Sequence, residues 1–402
     1  MRRGVLIIVC FSLFVISCNS IEETEVDLPD VGQLTFENID TKLPRININV
    51  KINEWDSMIH RPHNKIYTKA LFNYLDHSEV VDFPVQLMIK GSASVDYTLK
   101  SLEVIFDEEF DNNRYRLFLN AGYNQKVNLD RLKNFRLRNS GQDFTKTMIK
   151  DKALTKLAEQ SELDLLIMQV GSASQVFINN SYYGLLNMRT ESNLNSISFQ
   201  ENVSTDAVVI YKVDMDNGNI EYSEGNFALT PDLEAVIDSG NALEISTMVS
   251  ESSFIDYVIY QDYIGNIDWP KNNIRMYSIN GLPFRFVLYD LDHASEKTKN
   301  PLLPELEYIS HDLGKMYRAF RKVEGFDERL KKRQTDLYRY WSPALFDAIV
   351  VGMSKEIQKD ICYQISKHGN PLSVYRWNWE IEKMLRDFEM RDHYIHEKYK
   401  FK

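Results

Sequence analysis

Alternation of apolar and polar residues dominates the first half of the chain. Strict alternation, which indicates a strand with one buried face, occurs at residues 46–52 and again at 101–106. Shorter apolar runs bounded by turn residues predict further strands at 67–74, 85–89, 115–119, 135–137, 175–178, 183–188 and 208–211. One helix is predicted among them, because residues 147–157 place Ile149, Ala153 and Leu157 at helical spacing.

The pattern becomes helical from about residue 230. Helices are predicted at 233–239, 242–249 and 253–263, and a hairpin with strands 276–279 and 284–289 turns at Asn280-Gly281. Helical spacing then continues to the end of the chain. Strands followed by helices predict an α+β fold, with a strand-rich part at 44–215 and a helix-rich part at 216–402.

The N-terminus has the layout of a secretory signal. Two arginines precede an apolar run, Val5–Ile16, which is too short to span a membrane. The run ends at Ser17-Cys18 and resembles a lipobox, so we expect a signal peptide at 1–17 and a lipidated Cys18 that anchors the chain to a membrane. The alternative is an ordinary signal peptide that happens to contain a cysteine.

The segment after Cys18 is polar and acidic. It begins Asn19-Ser20-Ile21-Glu22-Glu23, which is similar to the surface-export signal of lipoproteins in some Gram-negative bacteria. We therefore expect an outer membrane lipoprotein exposed on the cell surface, with residues 18–43 as an acidic tether.

Composition excludes several classes of protein. The 402 residues carry 47 basic and 58 acidic side chains, a net charge of −11 that argues against nucleic acid as a partner. The three cysteines are Cys10, Cys18 and Cys362, so the body of the chain holds one thiol and excludes a cysteine-based zinc site. We expect a monomer.

Acidic residues gather around the predicted hairpin at 276–289. Asp290-Leu291-Asp292 follows its second strand, and two carboxylates at a strand end suit Mg²⁺ or Mn²⁺, although a polar turn is the alternative. Before the hairpin, Asp268 is followed five residues later by Asn273. This order of Asp, Asn, hairpin and Asp is the layout of a protein-kinase catalytic loop and metal site.

Several segments together resemble the CotH (spore coat protein H) kinases, an atypical kinase family. The similarity extends over about residues 44–400 and is carried by 89–94, 100–104, 149–153, 177–185, 266–273, 286–292 and 376–378. It implies a bilobal, atypical protein-kinase-like fold, with a strand-rich N-lobe and a helix-rich C-lobe.

The resemblance also implies residue roles. Asp268 would be the catalytic residue, while Asn273 and Asp290 would bind the metal, with Asp292 as an additional or alternative ligand. Lys100 would bind the nucleotide phosphates, and its acidic partner would be Asp151 or Glu191.

Three functions are compatible with these residues. The first is a protein kinase that uses ATP and Mg²⁺ or Mn²⁺ to phosphorylate Ser or Thr of a protein outside the cytoplasm. The second is a non-catalytic, kinase-like surface lipoprotein that binds protein or glycan. The third is a metal-dependent hydrolase or nucleotidyl transferase that uses Asp290 and Asp292.

Overall fold

The computed structural model describes residues 27–76, 79–91, 93–106, 133–168, 171–230, 232–294 and 303–400. The predicted signal peptide, Cys18 and the strand predicted at 115–119 lie outside these residues. Two sheets and eleven helices are found in the part of the chain that is described, so the α+β class is confirmed.

Seven strands form a closed barrel in the order β1-β2-β3-β4-β5-β8-β7. Their bounds are β1 Arg45–Val50, β2 Thr68–Asp76, β3 Glu79–Lys90, β4 Ser101–Phe106, β5 Asn134–Arg138, β7 Gly171–Ile178 and β8 Ser181–Arg189. Neighbouring strands are antiparallel except β1 and β7, whose parallel pairing closes the barrel.

The alternation seen in the sequence separates the inside of the barrel from its outside. On β5, Phe135 and Leu137 are fully buried in the core, and the alternate residues Asn134, Arg136 and Arg138 lie on the outer face. In the strand register Arg136 lies opposite Glu103 of β4 and Arg189 of β8. Charged side chains therefore occupy neighbouring outward positions on three strands.

A second sheet has the strand order β10-β9-β11-β12-β6. Its strands are β6 Leu166–Ile167, β9 Val208–Val213, β10 Ile220–Gly225, β11 Arg275–Ile279 and β12 Arg285–Leu288. Strands β9 and β10 pair as an antiparallel hairpin. The predicted boundary between residues 215 and 216 falls in the turn of this hairpin, and the sheet takes strands from both sides of it.

Helices make up most of the remaining structure. They are α1 Ile52–His60, α2 Lys150–Glu159, α3 Leu194–Gln200, α4 Leu233–Ser239, α5 Ala242–Met248, α6 Glu251–Ile264, α7 Asp312–Phe320, α8 Phe326–Tyr340, α9 Pro343–Ile357, α10 Ile361–His368 and α11 Val374–Tyr399.

Helix α6 lies at the centre of the helical part. Twelve of its fourteen residues are buried, including the polar Asp256, Gln261 and Asp262, so the helix is enclosed on all sides. Tyr257 stacks on Phe286 of β12 with ring centroids 4.6 Å apart, so the helix packs against the hairpin β11–β12. The helix ends at Gly265, whose φ of 61° suits the left-handed cap position.

The described part of the predicted tether packs against the body of the protein. Phe36 and Ile39 are buried and lie in a cluster with Phe177, Tyr182 and Tyr363. The apolar side chains of residues 27–43 thus lie against β7, β8 and α10. In the described ranges, no helix combines the length and the apolar character needed to cross a membrane.

Candidate active site

The loop after α6 fixes the position of Asp268. Asn266 is fully buried and its side chain bonds in two directions. Its Nδ2 donates to Gln261 Oε1 of α6 at 3.0 Å, and its Oδ1 accepts from the backbone N–H of Asp268 at 3.1 Å. The carbonyl oxygen of Asp268 in turn accepts from the N–H of Asn272 at 2.9 Å. The loop is thus tied to the end of the helix.

Three of the predicted site residues are brought together by Asn273. Its Nδ2 donates to Asp268 Oδ2 at 3.1 Å and lies 3.4 Å from the backbone oxygen of Asp290. Asn273 and Asp290 both have positive φ, 58° and 59°, a conformation that Asn and Asp adopt more readily than most residues. The loop at 266–273 and the acidic strand end at 290–292 therefore meet at Asn273.

Arg138, on the outer face of the barrel, contacts both acids of the Asp-x-Asp motif. Its Nη2 lies 2.5 Å from Asp290 Oδ1 and 2.9 Å from Asp292 Oδ2. The backbone at residue 141 can lie this close to Asp292 only as glycine, because a Cβ there would lie 2.0 Å from Asp292 Oδ2. The φ of Gly141, +57°, also favours glycine. The N–H of Gln142 also donates to Asp292 Oδ2, at 3.0 Å. The barrel and the strand end therefore meet at one cluster of charges.

Asp151 of α2 completes this cluster. Its Oδ1 accepts from the N–H of Leu291 at 3.0 Å, between the two acids of the motif. Its Oδ2 lies 2.5 Å from Arg189 Nη1 and 3.6 Å from Arg138 Nε. Asp151 thereby holds the backbone of the motif against two arginines of the barrel.

The cluster contains more negative than positive charge. Burial, together with the charges of Asp290 and Asp151, raises the pKa of Asp292 to about 7, although Arg138 opposes the rise. Burial also disfavours the charged form of Asp151, but Arg189 and Arg138 outweigh it and lower the pKa of that carboxyl. Burial lowers the pKa of Arg138, and the acids Asp290, Asp151 and Asp292 reverse the effect and raise it.

Lys100 does not form the predicted ion pair with Asp151 or Glu191 in the described residues. Its Nζ donates to the backbone oxygens of Val95 at 2.5 Å and Tyr97 at 3.1 Å, and burial lowers its pKa. Among the described residues, neither Asp151 nor Glu191 pairs with it. The reason is local: Lys100 directly precedes β4, and its side chain turns back onto the short helical turn at 93–96.

Glu191, the other acid considered for Lys100, binds an arginine. Its two carboxylate oxygens accept from Arg136 Nε at 2.6 Å and Nη2 at 2.8 Å. The turn that holds Lys100 still adjoins the acidic cluster, because Tyr97 OH donates to Gln142 Oε1 at 2.7 Å.

Sequence reasoning missed the arginines of the outer barrel face. Arg136, Arg138 and Arg189 all contact acids at the site, and a search for a kinase-like lysine passes over them. A usable signal exists in Asn134-Phe135-Arg136-Leu137-Arg138, where basic and apolar residues alternate and the arginines must share one face of a strand.

The donor set suits a magnesium or manganese ion that is bound together with phosphates. Asp290 and Asp292 provide carboxylate oxygens, and Asn273 adds an amide. Within the described ranges, no group of three or more His, Cys, Asp or Glu is arranged to hold a metal. Mg²⁺ commonly uses one or two carboxylates and takes its other ligands from water and substrate phosphates. Burial first, and the neighbouring acids second, raise the pKa of Asp292, and a divalent cation bound there would favour its charged form.

Comparison with known protein families gives one match. A family model described as CotH kinase protein matches residues 87–395. The chain belongs to the CotH kinase family. The part that matches the CotH kinase model contains Asp268, Asn273, Asp290 and Asp292, and also Lys100, Asp151 and Glu191. No curated protein matches the chain.

Proposed function

We propose that this chain is an atypical protein kinase that transfers the γ-phosphate of ATP to Ser or Thr of a protein, with Mg²⁺ or Mn²⁺ as cofactor. The observation that carries the proposal is the meeting of Asp268, Asn273 and Asp290 opposite Arg138. A carboxylate, a metal-ligating amide and acid, and a nearby cation are the parts that phosphoryl transfer requires, because its catalysis is mostly positioning and charge neutralisation.

Asp268 would accept the proton of the acceptor hydroxyl. Asn273 holds one of its carboxylate oxygens at 3.1 Å, and Asn266 fixes its backbone, so the side chain has a defined direction. General-base assistance of this kind contributes typically about 10²–10⁴ in rate. Asn273, Asp290 and Asp292 would hold the metal, which would neutralise phosphate charge.

The phosphates would be held by the cations of the outer barrel face. Arg138 and Arg189 are both buried beside the acids, and a planar guanidinium matches phosphate geometry. Lys100 keeps its proposed role at the phosphates, but its Nζ would have to leave the carbonyl oxygens of Val95 and Tyr97. In this arrangement the barrel is the N-lobe and the helical part the C-lobe of a kinase-like fold.

The proposed cellular setting follows from the N-terminal sequence. Lipidation of Cys18 would anchor the protein in the outer membrane of a Gram-negative bacterium, with the body on the cell surface. The partner would be a protein substrate, and the net charge of −11 disfavours nucleic acid. The protein would act as a monomer.

A non-catalytic protein that binds protein or glycan is the second candidate. It is favoured by one observation: a single nitrogen of Arg138 already contacts both predicted metal acids, so their charge is partly compensated by the protein itself. A hydrolase would use the same acids but would transfer the phosphate to water, and a nucleotidyl transferase would transfer a nucleoside monophosphate and release pyrophosphate.

Titration calorimetry with ATP separates these candidates. The chain that begins after Cys18 is titrated with ATP in the presence and absence of Mg²⁺ or Mn²⁺. The kinase proposal predicts binding that requires the metal and is lost in Asp290→Asn. No binding under either condition would favour the non-catalytic candidate, and transfer assays with a general acceptor protein then distinguish the kinase from the hydrolase.

A further inference from the structure

The last helix reaches the end of the helix that carries the catalytic loop. Arg391 of α11 has a side chain that is 1% exposed, and it lies against the C-terminal turn of α6. Its Nε donates to the backbone oxygen of Tyr263 at 3.1 Å. Its Nη2 donates to the backbone oxygen of Asp262 and lies 3.2 Å from Asp262 Oδ1.

These contacts provide hydrogen-bond donors for backbone carbonyl oxygens at the end of the helix. The last carbonyls of a helix have no donor in the following turn, and they form the negative end of the helix dipole. Only part of this demand is met by the cap, where the N–H of Gly265 donates to the oxygen of Asp262 at 3.1 Å. A buried guanidinium is therefore well matched to this position by both charge and geometry.

The acid in this group is held from several sides. Asp262 is fully buried, and its Oδ2 accepts from Tyr338 OH at 3.0 Å and Tyr399 OH at 2.8 Å. The two tyrosines belong to α8 and α11, so three helices meet at one carboxylate. Since both oxygens of Asp262 have partners, the position of the end of α6 is strongly constrained.

A series of hydrogen bonds leads to Asp268 from Gln261, the residue covalently joined to Asp262. Gln261, which precedes Asp262, accepts from the N–H of Asn266 at 3.3 Å and from its Nδ2 at 3.0 Å. Asn266 then accepts from the N–H of Asp268, whose carboxylate bonds to Asn273. The direction in which the chain leaves α6 determines where this carboxylate lies.

We propose that Arg391 is a positioning residue for phosphoryl transfer, which acts by fixing the exit of α6 and through it the loop 266–273. The proposal rests on the proposed function for its catalytic consequence, whereas the effect on the loop does not depend on activity. Arg391 reaches the end of α6 and not the reacting atoms, so its loss acts through the position of Asp268. Misplacement of a reacting group by about 1 Å can cost about 100-fold in rate.

The chain offers a control arginine that binds α6 at a different point. Arg333 of α8 binds Asp256, nearer the start of α6, through Nε at 2.6 Å and Nη2 at 2.9 Å. Arg333→Lys therefore weakens an arginine–aspartate pair on α6 without touching the helix exit. Comparison with Arg391→Lys separates a local effect on the loop from a general loss of stability.

Two readouts test the proposal. In Arg391→Lys, hydrogen exchange of the backbone amides at 265–273 should become faster, and kcat should fall about 10- to 100-fold while the dissociation constant for ATP with Mg²⁺ changes less than about twofold. In Arg333→Lys, both the exchange at 265–273 and kcat should stay near those of the parent. Tyr399→Phe removes one bond to Asp262 and should produce a smaller increase in exchange at the same amides.

Other results would overturn it. Unchanged exchange at 265–273 in both Arg391→Lys and Tyr399→Phe, or an equal change in Arg333→Lys, would show that Arg391 has only a general structural role. If Arg391→Lys does not fold, Tyr399→Phe decides the question alone. A parent without transferase activity would remove the proposed function, and the exchange measurements would still decide whether Arg391 fixes the loop.

Discussion

Replacement of Arg138 by Met tests the charge balance of the acidic cluster. The guanidinium lies within 2.5 Å of Asp290 and 2.9 Å of Asp292, and its Nε is 3.6 Å from Asp151. Methionine keeps an unbranched apolar stem but removes the positive charge and all of these contacts. Arg189 would then be the remaining cation at Asp151.

The structure indicates the size of the effect. Removal of one partner from a buried ion pair costs about 3–5 kcal/mol, and the lower end applies here because the side chain of Asp290 is 29% exposed. The loss should also depend on pH. Arg138 lowers the pKa of Asp292, which is about 7 in its presence, so the variant should have a still higher value. At pH 6 Asp292 is mostly protonated in both proteins, whereas at pH 8 it is mostly charged in the parent and stabilised by Arg138, so the destabilisation should be larger at pH 8 than at pH 6.

Added metal should compensate for the lost charge. A ligand at 100 times its dissociation constant stabilises the folded state by about 2.7 kcal/mol, which is comparable to the expected loss. The measurement is urea unfolding of the parent and of Arg138→Met, at pH 6 and 8, with and without Mg²⁺ or Mn²⁺. The variant should be about 3 kcal/mol less stable at pH 8 and should gain more from the metal than the parent does.

Arg136→Met is the control, because Arg136 occupies the preceding outward position of β5 and binds Glu191 instead of the predicted metal acids. The stability of Arg136→Met should gain no more from added metal than that of the parent does. The reasoning would be refuted if Arg138→Met lost the same stability at both pH values, or if metal stabilised Arg136→Met and Arg138→Met equally.

Four further predictions concern single residues. Asp268→Asn should lower phosphoryl transfer by at least about 10²-fold but leave ATP binding near that of the parent, as a transfer assay beside calorimetry will show, since the amide cannot accept the proton. Asp290→Ala should weaken metal-dependent ATP binding more than Asp292→Ala does; a metal titration with equal or reversed losses would assign the main ligand role to Asp292. The raised pKa of Asp292 makes the folded parent bind an extra proton between about pH 4 and pH 7, so its free energy of unfolding falls as the pH rises through this range, by at most about 4 kcal/mol. Urea unfolding of Asp292→Asn should show a smaller fall over the same range. Cys18→Ala should release the protein from membranes on cell fractionation, since acyl chains contribute about 0.8 kcal/mol per buried CH₂; a variant that still sediments with membranes after high-salt washing would contradict the lipobox interpretation.

Local patterns in the sequence predicted much of the fold. The strand at 101–106 and the helix at 233–239 have the bounds that alternation and helical spacing indicate, and the Asn280-Gly281 turn joins β11 to β12 as expected. The closure of the barrel was not predictable in this way. It depends on the parallel pairing of β1 with β7, two strands more than 100 residues apart, which no local pattern specifies.

The candidate site was predictable in part for the same reason. Asp268, Asn273 and Asp290 could be grouped because a hairpin of known layout connects them. The contact of Arg138 with Asp290 joins residues 152 positions apart and depends on how the barrel packs against the strand end. The ion pair expected between Lys100 and Asp151 or Glu191 is not formed, because the side chain of Lys100 is held by the turn that precedes it.

The central claim is that this chain transfers a phosphoryl group by means of Asp268. The most direct test is the intact mass of the purified chain that begins after Cys18, and of a general acceptor protein mixed with it, after incubation with ATP and Mg²⁺ or Mn²⁺. The account predicts that one or both proteins gain the mass of phosphoryl groups in a metal-dependent manner, and that the gain with Asp268→Asn is slower by at least about 100-fold. Unchanged masses with either metal, or equal gains for the parent and Asp268→Asn, would contradict it.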